Sequence, residues 1–364
     1  MIIVVGGGIA GLSVAHELLR RGANVTVVEA STVASGASGV ATSYLEPRLG
    51  NTAMRAIERE SMRRWESYAG WLNSVGLVDV GFRSKGQIKV TLPENLKRLE
   101  KDLRARREQG EPFTQLESSD LNDLEPALSP GIVAAAHLPN VRWVTGRFVC
   151  QALAEAIEQE GGKIVKNYTV VTVTPAKDTS SNLVVTSADG TQLMAEKVIM
   201  CTGIGTPAIE GLPDDMPKSR PVRGVNLVVD QSSLTKPVSH LIKHHRGNLC
   251  PRENGQLIVG TTYEAGENSL EPGADIVEFL YQNAEPILPV VRQLPLLRVT
   301  AGLRSKVGDG NLRLGRSNEI PQLFYSLSHG GAGFLRAPVI ADELARFVLD
   351  GEPGRLTRQH THGA

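Results

Sequence analysis

The first thirty positions change hydrophobic period twice. Ile2, Ile3, Val4 and Val5 form an unbroken apolar run, the pattern of a strand buried on both faces. Over residues 9–21 apolar side chains recur at helical spacing, and Gly22 supplies a stop. Residues 24–28 alternate apolar and β-branched side chains and predict a second strand.

The pattern then lengthens. A glycine-rich stretch over 34–40 precedes a long helical pattern over 53–75. Residues 76–92 predict two short strands separated by Arg83, Ser84, Lys85 and Gly86. Residues 93–108 predict a charged surface helix with Pro93 in its first turn, and 115–139 read as irregular. An amphipathic helix over 147–159, closed by Gly161 and Gly162, leads into a strand over 163–173. A hairpin turning at Ser187, Ala188, Asp189 and Gly190 follows, then a buried strand over 197–201. Residues 220–262 are mostly strand-like, with Asn254-Gly255 as a hairpin turn. A helix over 276–287, a strand over 323–326 and a final helix over 337–349 complete the chain. No fixed-period repeat occurs. The order predicts an α/β chain, α+β overall: a Rossmann-like domain (1–75, 140–215, 300–364) interleaved with an antiparallel-sheet domain (76–139, 216–299).

Composition narrows the function classes. The 364 residues are 41% hydrophobic, enough for a sizeable core in two domains, and 39 basic residues balance 39 acidic ones. That balance gives no basic surplus for nucleic acid or an anionic membrane. No apolar stretch approaches the roughly 20 residues of a membrane helix. Met1 leads directly into the apolar run without a basic segment, so a cytoplasmic location is expected. Cys150, Cys201 and Cys250 are widely spaced and odd in number, which predicts reduced, mostly buried thiols. No metal-ligand spacing occurs. His244, His245, His360 and His362 read as solvated, and Trp65 with Tyr68, three apart on a helix, as core packing.

Candidate chemistry begins at Gly6-Gly7-Gly8-Ile9-Ala10-Gly11, which fits G-x-G-x-x-G between a strand and a helix. Gly6 permits the tight turn, Gly8 lets a pyrophosphate approach the backbone, and Gly11 lets helix and strand pack closely. The helix N-terminus faces the phosphates. Glu29 ends the second strand, where a carboxylate accepts hydrogen bonds from both ribose hydroxyls and repels a 2′-phosphate. The motif alone does not choose between FAD and NAD.

The small-residue stretch Ala34-Ser35-Gly36-Ala37-Ser38-Gly39 just after the ribose acid does more, and here the chain resembles the D-amino-acid oxidase superfamily of flavoproteins, especially its glycine oxidase-like members. The resemblance runs through nearly the whole chain. It includes Cys201-Thr202-Gly203, Arg220-Pro221-Val222-Arg223-Gly224, Pro251-Arg252 with Gly255, Gly260-Thr261-Thr262-Tyr263-Glu264, Ala301-Gly302-Leu303-Arg304 with Asp309-Gly310 and Gly315, and His329-Gly330-Gly331-Ala332-Gly333. It implies a domain of glutathione-reductase type holding non-covalent FAD, since Ser305 stands where no covalent cysteine link forms. The implied cofactor contacts are Gly6, Gly8, Ile9, Ala10, Gly11, Glu29, Ala30, Ser35, Gly36, Ser38, Val170 or Val171 at the adenine, Cys201, Thr202, Gly203, Arg304, Gly330, Gly331, Ala332, Gly333 and Phe334. The glycine loop would approach the flavin, with Pro338 in the first turn of the closing helix.

The resemblance further implies that Arg304 holds a substrate carboxylate bidentately. Two departures stand out: Gly331 replaces an arginine of the family's last loop, and Asn248 replaces the tyrosine before the Pro-Arg hairpin. Both imply a wider pocket than one for glycine. Tyr44 and Arg48 are candidate substrate contacts, Arg48 for a second anion, Glu46 for a cationic side chain, and Arg83 a further candidate. His329 reads as a structural loop residue, not a base. The expected reaction is oxidative deamination of a free α-amino acid, by hydride transfer from Cα to flavin N5, giving imine, keto acid, ammonia and H2O2, with O2 or another acceptor taking the electrons. A secondary amine or modified base as substrate, and maturation of a partner protein, are the alternatives. A homo-oligomer is compatible with these features.

Overall fold

In the computed structural model, which describes residues 1–50, 53–177 and 182–363, the run Ile2–Val5 is an inner strand of a seven-stranded sheet. Val25–Val28 and Lys197–Met200 flank it in parallel, and Lys163–Val165 and Leu323–Leu327 extend the parallel set on either side. Arg313–Arg316 runs antiparallel against Leu323–Leu327, and Thr361–His362 closes that edge. All four residues of Ile2–Val5 and of Val25–Val28 are buried, because both sheet faces are covered. Helices Ile9–Arg20, Gly146–Gln159 and Gly333–Asp350 bury Leu12, Leu153 and Phe347 with Val4 and Val27 on one face. On the other face the three-stranded sheet Val170–Pro175, Leu183–Ser187, Gln192–Ala195 packs Val173 and Val185 on Ile3, Val5 and Val28.

The second sheet has nine strands, with Arg220–Asp230 as its long spine between Gln256–Gly260 and Leu296–Lys306. Period-two alternation gives it two unlike faces. Val225, Leu227 and Val229 join Ile242, Leu249 and Val259 in a core closed by the helix Ala274–Ala284. The opposite face carries Asn226, Asn248, Lys243 and Lys89, which lie in one cross-strand row through Gly260. Leu296–Lys306 crosses residue 300, so the expected domain boundary there falls inside a strand.

Several expected elements differ. The strand over 163–173 is two strands in different sheets, because Asn167 turns at φ 56° and residues 167 and 168 donate to the Ser31 and Glu29 carbonyls. The irregular stretch 115–139 contains Thr114–Leu116, a helix Ser118–Leu124 and Ala134–Leu138; Glu117 and Asp120 form a reciprocal cap that starts the helix. Of the two strands over 76–92, only Gln87–Thr91 forms; Arg83 makes an isolated bridge to Trp143.

The final helix begins at Gly333, so Pro338 lies inside it and not in its first turn. A proline there removes the donor for the Phe334 carbonyl. The indole of fully buried Trp65 supplies one, donating at 3.1 Å to both Phe334 and Leu335 carbonyls. Trp65 also meets the Tyr68 ring edge-on at 5.4 Å, as core packing requires. His244 is buried, not solvated, and burial lowers its pKa to about 4; burial lowers His360 as well. The three cysteines are free and buried. Among the described residues, no helix is long and apolar enough to cross a membrane.

Candidate active site

At the end of the first strand the chain turns through Gly6 at φ +113°, where a Cβ would stand 2.6 Å from the Cys201 carbonyl oxygen. A Cβ at Gly11 would overlap the Gly6 carbonyl, so only glycine lets this helix start so close to the strand. Leu12 donates to Gly8 at 3.0 Å, which leaves the Gly8, Ala10 and Gly11 N–H groups before it as a cradle to face an anion. Ile9 N–H donates to Ser38 Oγ at 3.1 Å, placing Ser38 over the same cradle. Glu29 takes Gly7 N–H at 2.7 Å, Ser31 N–H at 3.0 Å and the Ser35 hydroxyl at 3.2 Å. Ala30 O accepts from Thr169 at 3.4 Å, so Val170 begins beside the ribose acid; Val171 gives its carbonyl to Glu210 N–H at 2.9 Å. Cys201 N–H donates to Val5 O, Thr202 bonds Thr206, and Gly203 turns at φ 59°.

The small-residue stretch forms the short helix Ala37–Val40, which reaches the polar face of the nine-stranded sheet. Asn226 Nδ2 donates to the Val40 carbonyl at 3.1 Å, and a Cβ at Gly302 would come within 3.2 Å of Ala37 Cα. Gly36 has open space around it. On the closing side, Gly330 turns at φ 57°, Gly330 and Gly331 are exposed, and Ala332 precedes the helix that starts at Gly333 beside Ile9. Phe334 is buried against Gly146. His329 Nε2 bonds the Ser326 hydroxyl at 2.9 Å, and burial followed by Arg336 lowers its pKa to about 4. It is a neutral loop residue at neutral pH.

Arg304 pairs with Val222 on the polar face of the sheet, and its guanidinium lies over Gly224, where any side chain would overlap it. Its partners are uncharged: the Arg223 and Thr262 carbonyls at 3.3 Å and Thr261 Oγ1 at 3.0 Å. Among the described residues, no carboxylate lies within ion-pair distance. Burial lowers its pKa, and the phenols acting on its charge are Tyr44 and Tyr263. Tyr44 pairs with Trp143 in a two-residue ladder, and its hydroxyl accepts from Lys243 Nζ at 2.8 Å.

A cavity of about 430 Å³ opens beside Tyr44, bordered by Arg48, Lys89, Arg106 and Gly331. Glu46 lines it but is no free selector of cations: Arg106 holds it at 2.5 Å and Lys89 at 3.5 Å. Arg48 is half-exposed and shares Glu58 with buried Arg336. Arg83 is taken up by Asp79 and Glu253. The structure thus brings Tyr44, Arg48 and Gly331 to one cleft, reaches Arg304 from it through the Tyr44 phenol, and leaves Arg83 outside. Lys243 and Asn226 were missed. Asn226 carried a signal, a single amide inside the apolar run Val225–Val229.

Residues 1–347 match the family of DAO-type FAD-dependent oxidoreductases. The chain belongs to that family. It is 27% identical over 357 residues to a glycine oxidase of Bacillus licheniformis, covering 96% of this chain and 93% of that enzyme. A glycine oxidase of Bacillus subtilis is 24% identical, with 96% and 93% covered. The crystal structure of glycine oxidase from Bacillus cereus superposes with a TM-score of 0.88 at 23% identity, covering 98% of this chain and 96% of that one. The DAO-type chain is therefore an FAD-dependent oxidoreductase with the FAD-binding fold expected from its sequence.

The residues present fit that cofactor. Glycine at 6 and 11 lets the helix start against the strand end, as a pyrophosphate cradle requires, Glu29 follows the second strand, and the Ala37–Val40 segment meets the sheet through residues without bulk. Among the described residues, no group of three or more His, Cys, Asp or Glu is arranged to hold a metal.

Proposed function

We propose that this DAO-type enzyme oxidises the amine of a free α-amino acid, giving an imine that hydrolyses to keto acid and ammonia, with O2 or another acceptor taking the electrons. The observation that carries this reading is Arg304: a half-buried guanidinium whose partners are two carbonyls and a hydroxyl. A partly desolvated arginine without an anion keeps a charge that a carboxylate ligand would compensate.

FAD, when bound, supplies the two-electron acceptor for the Cα–H bond. The cradle formed by Gly6, Gly8, Ile9, Ala10 and Gly11 would hold its pyrophosphate. Glu29, Ala30, Ser35, Gly36 and Ser38 would line its ribose and flavin approach, with Val170 or Val171 at the adenine. Cys201, Thr202, Gly203, Gly330, Gly331, Ala332, Gly333 and Phe334 complete the surround. The protein's own contribution is orientation. Arg304 fixes the carboxylate, so the position of Cα is set by two parallel hydrogen bonds. Lys243 occupies a lone pair of the Tyr44 oxygen and leaves the phenolic hydrogen free for substrate. His329, its pKa lowered to about 4 by burial and then Arg336, is too weak a base to hold the amine proton near neutral pH.

The test is anaerobic flavin bleaching with glycine, sarcosine and both enantiomers of the common amino acids. If none bleaches the flavin, the reading fails. Arg304→Leu removes a hydrogen bond to a charged group worth about 1.5–3 kcal/mol, roughly 10- to 150-fold in kcat/KM. The loss should sit mainly in KM, with FAD still bound.

A further inference from the structure

The cleft holds more positive charge than one carboxylate needs, in a chain whose overall charge is zero. Its acidic residues are already committed. Glu46 and Asp102 form a closed square with Lys89 and Arg106, with ion-pair contacts between 2.5 and 3.5 Å. Glu58 alone serves two arginines, Arg336 at 2.6 Å and Arg48 at 3.4 Å. Lys243 and Arg304 have no carboxylate within ion-pair distance among the described residues. Lys243 rests instead on the Tyr44 hydroxyl at 2.8 Å and over its ring at 4.4 Å. Burial opposes its charge, but Tyr44 and Glu46 outweigh that, and its pKa lies above the ordinary lysine value.

Tyr44 joins these charges into one site. It bonds Lys243, acts on the charge of Arg304, and lines the 430 Å³ cavity with Arg48 and Gly331. At Gly331 no side chain fills the space.

Building on the reading that Arg304 takes the α-carboxylate, we propose that Lys243 and Arg48 form a second anion subsite, so that the preferred substrates are amino acids carrying a second carboxylate. A cationic side chain would meet Lys243 and Arg48 with no free acid to receive it, since Glu46 is neutralised. A neutral side chain would add nothing to the half-buried Lys243 beyond the Tyr44 hydroxyl and the charge of Glu46, which Lys89 and Arg106 already hold.

The experiment uses the FAD-loaded enzyme at fixed ionic strength. Steady-state kcat/KM is compared within two isosteric pairs, aspartate against asparagine and glutamate against glutamine, in both enantiomers. The acid should exceed its amide by tenfold or more in at least one pair. Glutarate and butyrate, which have no amine and cannot be oxidised, are then titrated against the flavin absorbance. Glutarate should bind at least tenfold more tightly. Arg48→Gln, at a half-exposed position, should reduce that ratio severalfold, and Lys243→Met should reduce it further. Equal binding of the two ligands, or a ratio unchanged in both variants, overturns the inference. If no amino acid bleaches the flavin but glutarate still binds selectively, the amino-acid reading fails and the second anion subsite stands. If neutral amino acids are oxidised as well as acidic ones, the reading stands and the subsite fails.

Discussion

Removing the carboxylate of Glu58 tests the assembly of the cleft from both sides. Glu58 is wholly buried, and Arg336 is 1% exposed. Oε1 receives Arg336 Nε at 3.0 Å and Nη2 at 2.6 Å, while Oε2 receives Arg48 N–H at 2.9 Å. Arg336 also donates to the His329 carbonyl, so one carboxylate ties the loop at 48 to the loop at 329–331. Glu58→Leu leaves a buried guanidinium without its anion, and breaking such a pair costs about 3–5 kcal/mol. With about 2.1 cal/mol/K per residue over 364 residues, that loss lowers Tm by roughly 4–7 °C. The assay is a thermal scan at fixed scan rate and saturating FAD. The double variant Glu58→Leu/Arg336→Met removes both charges and should recover most of the loss. A single-variant drop under about 1 °C, or a double variant as unstable as the single, refutes the account of the pair as a tightly coupled buried tie.

Trp65→Phe keeps the apolar bulk but strands the Phe334 carbonyl, whose helical donor Pro338 lacks, which costs about 1–3 kcal/mol or roughly 1–4 °C in Tm; Pro338→Ala, which restores a donor inside the helix, should soften that loss. His329 and His244 are held near pKa 4 by burial, so each is neutral in the fold and protonated in the unfolded chain between pH 4 and 6.5. The unfolded state then binds more protons, and stability should fall as pH drops through that window, by up to about 1.4 kcal/mol per pH unit for each histidine; a Tm that stays flat from pH 6.5 to 4.5 contradicts this. Gly11→Ala puts a methyl group on the Gly6 carbonyl and should lower FAD content more than tenfold by absorbance, whereas Gly70→Ala, on an open helix surface, should leave it unchanged.

What could be read from sequence was whatever local spacing decides. The Ile2–Val5 run, the glycine spacing and Glu29 all lie within thirty residues, and their geometry follows from one strand-turn-helix-strand unit. Arg304 was legible through its motif, but its lack of a counter-ion was not, because that depends on which side chains Arg220–Asp230 and the 261–262 turn bring beside it. Glu46 shows the reverse. It looked free in sequence, and residues 43 and 60 positions away neutralise it. The helix Ser118–Leu124 was hidden because its reciprocal cap uses Glu117 and Asp120, while its short apolar stripe does not sustain a helical period. Pro338 misled because a proline inside a helix normally marks its start, and the donor that compensates it is Trp65, far off in the chain.

The two faces of the nine-stranded sheet divide stability from chemistry. Successive residues of Arg220–Asp230 point opposite ways, so Val225, Leu227 and Val229 close a core while Gly224 and Asn226 face the other domain. A one-residue slip would bury Asn226 in that core and turn the valines into the cleft. The register is therefore set by the hydrophobic face, and the polar face inherits its positions. Gly224 leaves room for the Arg304 guanidinium and Gly302 for the Ala37–Val40 segment. Asn226 Oδ1 and Asn248 Oδ1 remain buried without partners on this same face, a state that costs about 1–3 kcal/mol per group unless a ligand or water meets them. Such acceptors would strain a purely structural interface; under the proposed function, the N–H of a bound amine would be their partner.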